Sequence, residues 1–150
     1  MQQAQQWQHA GQDEAALAQL IQALPVVHQL VRSPYLLVQP DDCLAAWVVT
    51  HLWITDLLAA HQQLPAALDY LCDAHEQLLQ LESQATSPQL QEAAWRHQRE
   101  TLLDLLLWQR EHGSSPRIQA LLKASVAGCS ATHSADAARP NHTNGRATLH

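Results

Sequence analysis

Apolar residues recur at intervals of three and four along most of this chain, the spacing that places them on one face of a helix. Ala16, Leu20, Ala23, Leu24 and Val27 form one such stripe. A short helix is expected over residues 2–9, stopping near Gly11, because glycine suits a left-handed helix exit. A second should begin at Gln12, where Asp13 and Glu14 favour the positive end of the helix dipole. Pro25 lacks a backbone donor and should kink or interrupt it. "RSPYLLVQPDD", from Arg32 to Asp42, reads as a connector, since Pro34 and Pro40 disfavour helix in the residues before them.

Asp41 or Asp42 is the expected N-cap of a third helix reaching about Ala60. "HQQLP" is a tight turn that places Pro65 in the first turn of a fourth helix, to about Glu82. Ser87-Pro88 is a second start signal, serine as cap and proline at the first helical position. The fifth helix should be long, from Pro88 to His112, stopping at Gly113. Within it "LLDLLLW" is apolar on more than one side and calls for enclosure. A sixth, short helix is expected from Pro116 to about Ala127. Residues 128–150 have no apolar periodicity and read as a disordered tail, which leaves one helical domain over 1–127.

Composition agrees with an all-α fold. Leu, Ala and Gln dominate, phenylalanine is absent and there are four glycines. The formal net charge of −6 argues against a nucleic-acid partner. Its distribution is uneven. Between Arg32 and Arg96 there is no Lys or Arg but there are eight acids, whereas Arg96, Arg99, Arg110, Arg117 and Lys123 make the next segment basic. The two halves either complement each other within the fold or leave an acidic face for a basic partner. Three widely spaced cysteines do not suggest a disulfide framework. No run approaches the ~18–20 apolar residues of a membrane span, and the start lacks signal-peptide character. A cytoplasmic protein without membrane contact is expected.

A search for internal repeats finds two related segments. One has His51, Ile54-Thr55, Leu58, then Ala67-x3-Leu71 and Ala74; the other has Ala4-x2-Trp7, then Ala16-x3-Leu20 and Ala23. In both, the interval from the bulky residue (Trp7, Leu58) to the alanine (Ala16, Ala67) is nine positions. Antiparallel helices pack closely where a small side chain faces a large one, which gives this spacing a physical reason. The pattern resembles the tetratricopeptide repeat, and the chain is similar to short bacterial proteins of that fold. It departs from it too: His51 stands for the tryptophan, Thr55 for the glycine, the closing proline is missing, and the copies are 51 residues apart. The resemblance implies antiparallel helix pairs capped by a long C-terminal helix. It also implies a protein-interaction module or adaptor holding an unidentified protein or peptide. It puts Asp56 on the concave side of its helix with Val49 and Leu52.

Asp56 is the one charge between Asp42 and Asp69, and a buried carboxylate needs a partner or a raised pKa. The fifth helix should offer Arg96 or Arg99 as that partner. Asp104, inside "LLDLLLW", is expected to be structural in the same way. Trp47 and Trp53, six apart on one helix, cannot share one buried stripe, so one belongs on the surface or at an interface. Val49, Leu52, Trp53, Asp56, Arg96 and Arg99 are therefore the candidate binding residues. Cys72 and His75 share a helix face next to Glu76, but two ligands do not make a zinc site, and no metal or cofactor is expected. No second titratable group converges with either aspartate and no nucleophile has a recognisable setting, so catalysis is not expected. A self-associating helical homodimer is the alternative.

Overall fold

The structure is a computed structural model that describes the backbone of residues 2–135 and the side chains of residues 9–128. It has six helices: α1 (Gln2–Leu30), α2 (Tyr35–Val38), α3 (Pro40–Ala60), α4 (Leu64–Gln84), α5 (Pro88–His112) and α6 (Pro116–Ala135). The fold is all-α. The side chains of Trp7 and Cys129, with everything from residue 136 on, lie outside the described residues.

Two expectations fail in the N-terminal part. There is no turn at Gly11, because α1 runs unbroken through it and Gly11 does not take a positive φ. A lone glycine costs a helix only ~1 kcal/mol and does not end it without a capping geometry. Trp7 and Ala16 therefore share one helix and cannot face each other across a pair. Pro25 also leaves α1 continuous. The carbonyl it leaves without a donor belongs to Ile21, and both residues are exposed, so water can replace the lost bond. The inward stripe of α1 is Leu17, Leu20, Leu24 and Val27, continued by Val31 beyond the helix end, and Ala16 is exposed.

The later boundaries follow local chemistry. Gln39, not Asp41 or Asp42, precedes α3; Pro40 opens the helix, and the two aspartates sit in its first turn, where their charge meets the dipole. The connector holds the single turn of α2, pinned by buried Leu36. Between α3 and α4, Gln62 takes φ 60°, the left-handed conformation of a tight reversal. Ser87 Oγ accepts from the Leu90 N–H to cap α5, and Gly113 at φ 89° ends it. Ser115 caps α6 by accepting from the Ile118 N–H. α6 continues to Ala135, eight residues past the expected end at Ala127.

α4 is the central element, packed between α3 and α5 with α6 against it. Its buried face carries Ala67, Leu71, Ala74 and Leu78, each at most 1% exposed. The two alanines let α3 approach closely enough for side chains to reach the α4 backbone. Trp47 Nε1 donates to the Ala74 carbonyl and Thr55 Oγ1 lies within reach of the Ala67 carbonyl, both at 3.3 Å. From the other side Gln98 donates to the Leu78 carbonyl at 3.2 Å, and also to Glu82. Two apolar lobes result. One gathers Val27, Leu44, Trp47, Val48, Leu78 and Leu90; the other gathers Ile54, Leu71, Leu105, Trp108, Ile118 and Leu121. Between them lie buried His51, Thr55, His75, Gln98 and Thr101.

By length and composition α3 would suffice to cross a bilayer, contrary to the expectation from apolar runs; half of its most apolar window is buried against neighbouring helices. The alanine contacts predict that Ala67→Leu, which forces volume into a fully buried crossing, lowers stability by about 1–3 kcal/mol in urea unfolding. An unchanged midpoint would show that α3 and α4 are not in close contact there.

Candidate functional site

The side of α3 turned away from α4 carries Val49, Leu52, Trp53 and Asp56, positions that the helical repeat gathers on one face. Trp47 and Trp53 part as their spacing requires: Trp47 is 3% exposed and Trp53 59%. Val49 is 46% exposed and Leu52 half-buried. This strip borders two adjoining hollows that share Asp56. One, of about 240 Å³, lies between α3 and α5 and is walled by Leu52, Asp56, Leu71, Asp104, Trp108 and Glu111. The other, of about 300 Å³, lies towards α1, with Ala16, Leu20, Trp53 and Leu57.

The two candidate arginines are elsewhere. Arg96 pairs with Asp41 at 3.3 Å, and the Arg99 guanidinium lies 5.1 Å from the centre of the Trp95 ring. The cause is register. α3 and α5 are both antiparallel neighbours of α4, so they run in the same direction, and Asp41 meets His97 at 3.1 Å, fifty-six positions apart. Carried along the helices, the same offset of fifty-six takes Asp56 to the C-terminal end of α5, where the 104–111 segment lines its hollow, about two to four turns beyond Arg96. Asp56 therefore meets Asp104 and Glu111 in place of an arginine. Asp104 and Glu111 are seven apart on α5, with Leu107 and Trp108 between them, a spacing that was visible in the sequence but had no assigned neighbour.

Two of these acids carry the mark of their surroundings. Burial pushes the Asp56 carboxyl above the usual aspartate range, although the residue stays exposed. Asp104 is pushed up by burial first, then by the charges of Asp56 and Glu100. The cations that do pair with acids serve other places. Arg117 on α6 holds Asp69, Asp73 and Glu76 on α4 at 3.1, 2.6 and 3.2 Å, so the uneven charge along the sequence is partly neutralised inside the fold.

Away from the strip, His75 joins three helices. Its Nδ1 lies 2.7 Å from Thr101 Oγ1 on α5 and its Nε2 2.7 Å from Ser125 Oγ on α6. A hydroxyl beside an imidazole resembles a nucleophile with its base, but burial lowers this imidazole to about 4, which leaves it a weak base at neutral pH. Cys72 is fully buried, and burial pushes its thiol up to about 11. Among the described residues no group of three or more His, Cys, Asp and Glu side chains converges as metal ligands would. A third hollow, of about 180 Å³, is lined by His28, Trp47 and His51. There the His51 Nδ1–H donates to the Trp47 carbonyl at 2.8 Å, and burial lowers its imidazole.

The His75 environment sets a pH dependence. The unfolded chain protonates this imidazole near the ordinary value of about 6.5, the folded chain only at about 4. Between those values the unfolded state binds more protons, so stability falls as pH falls. Wild type should lose about 3 kcal/mol more than His75→Gln between pH 7 and pH 4, from the 1.36 kcal/mol per pKa unit. Urea unfolding across that range measures it, and identical pH profiles would contradict a desolvated His75.

Comparison with curated proteins and with solved structures finds no match. Residues 1–145 match the family described as "Protein of unknown function (DUF2753)". That match spans nearly the whole 150-residue chain. The chain, with six helices among its described residues, belongs to the DUF2753 family.

Proposed function

We propose that this protein is a small interaction module, in which the α3/α4 hairpin is a tetratricopeptide-like unit and the outer strip of α3 docks another protein. The observation that carries this reading is the exposure of Trp53, at 59%, beside Val49 on a helix whose other faces are buried. A large exposed aromatic with apolar neighbours has the composition of an interface centre. The repeat-like reading of the hairpin is supported by the burial of His51, Ile54, Thr55, Leu58, Ala67, Leu71 and Ala74, the positions of its second copy. Thr55, standing where the repeat has glycine, uses its hydroxyl on the His51 carbonyl at 2.8 Å. The same proposal puts the protein in the cytoplasm, where the free thiols of Cys43 and Cys72 stay reduced.

Self-association is the second reading. It is favoured by the exposed Leu103, Leu106 and Leu107 on α5, at 57, 47 and 46%. Light scattering at high micromolar concentration decides it, a monomer removing the reading.

The docking reading predicts that a partner captured from the source cell's lysate is retained by Glu92→Arg and lost by Asp56→Arg, with helical circular dichroism unchanged in both. Retention of the same partners by Asp56→Arg would overturn it. Loss of helicity together with binding would make Asp56 a structural residue.

A further inference from the structure

The strip carries more than apolar surface. Three acids, Asp56, Asp104 and Glu111, line the hollow between α3 and α5, and none of the residues lining it is basic. Its walls are otherwise Leu52, Leu71, Leu107 and Trp108 with Thr55. Of the acids, Glu111 is 3.6 Å from His112, which is charged only when protonated. Low-dielectric walls strengthen attraction to an incoming cation and repulsion of an incoming anion. A lysine or arginine suits such a space better than a compact ion does. Its methylene stem can lie on leucine and tryptophan while its head reaches the carboxylates, and a guanidinium can also stack on an indole. At about 240 and 300 Å³, the two hollows are sized for single side chains, below or at the lower limit for a small-molecule site.

We infer that the occupant of the strip is a basic amphipathic segment of a partner protein, seating one lysine or arginine in the Asp56–Asp104–Glu111 hollow and a neighbouring apolar side chain beside Trp53. This rests on the reading of the strip as a docking surface and names the chemistry that it selects. Asp56 is the pivot, because it belongs to both hollows and so fixes the cation next to the apolar anchor. A helical segment offers that pair at i and i+3 or i+4, the usual arrangement of a helix laid in a groove. Acidic segments and nucleic acid are repelled from the same carboxylates. Burial is the first cause of the raised Asp104 carboxyl, and a bound cation offsets the second, the neighbouring charges of Asp56 and Glu100.

The test uses the full chain and two synthetic amphipathic helical peptides of about 15 residues with the same leucines, one carrying arginines and the other glutamines in their place. Binding is followed by amide NMR shifts and fluorescence anisotropy at physiological salt. The basic peptide should shift resonances along Val49–Leu57 and Asp104–Glu111. Its affinity should fall roughly tenfold in Asp56→Asn and in Asp104→Asn, and stay unchanged in Asp42→Asn. Both asparagine variants should fold, since burial already disfavours the charge they remove. Equal binding of both peptides at the strip would overturn the basic chemistry while leaving the docking reading intact. Shifts centred on the Asp69–Asp73–Glu76 face would reduce the effect to general charge attraction and overturn the assignment. Absence of binding by either peptide overturns it as well, and the docking reading then stands or falls on partner capture alone.

Discussion

Everything in this fold depends on how closely α3 and α5 approach α4. Ala67 and Ala74 lie on the α4 face turned to α3, and Ala93 and Ala94 are buried on α5. Larger residues there would hold the helices apart. With alanine, Trp47 donates to the Ala74 carbonyl and Gln98 to the Leu78 carbonyl of α4, while Thr55, whose hydroxyl donates to His51 in its own helix, lies against the Ala67 carbonyl. These bonds fix the register of the three helices as well as their distance. A slide by one turn would leave buried donors without acceptors, and an unpaired buried polar group costs about 1–3 kcal/mol.

The register has a consequence for the surface. With α3 and α5 both locked to α4, the N-terminal half of α5 lies beside the start of α3, where Arg96 and His97 meet Asp41. The C-terminal half lies beside Asp56, and there α5 presents Asp104 and Glu111. The acidic hollow is thus a product of helix packing, as is its open side. α3 spends its apolar residues on the core but leaves Val49 and Trp53 exposed. A groove that sets three acids beside leucine and tryptophan, with no basic residue in its lining, is what the proposed docking of a cation-bearing segment rests on.

The sequence made most helix boundaries legible from α3 to the start of α6, because Pro40, Pro65, Ser87-Pro88 and Gly113 are strong local signals. The cap of α3 and the end of α6, eight residues past Ala127, had no such mark. α1 was harder to read. Gly11 and Pro25 look like breaks, yet neither stops a helix that has no competing cap and whose missing bond faces water. Trp53 could be set apart from Trp47 by periodicity alone, whereas Val49, Leu52 and Asp56 were grouped through the resemblance to the tetratricopeptide repeat. The arginine partners could not. Whether Asp56 meets Arg96 or Asp104 depends on the offset between two helices fifty residues apart, and that offset is set by the α4 contacts of Trp47, Thr55 and Gln98. A single helix pattern holds no record of it.

The most direct check is a carboxyl-detected NMR titration of Asp56 and Asp104 in wild type and in Asp56→Asn. The packing described here predicts that both carboxyls titrate above the ordinary aspartate value of about 3.9. It also predicts that Asp104 moves down when the Asp56 charge is removed. Ordinary values for both, with Asp104 indifferent to Asp56, would contradict the register that brings these two acids to one hollow.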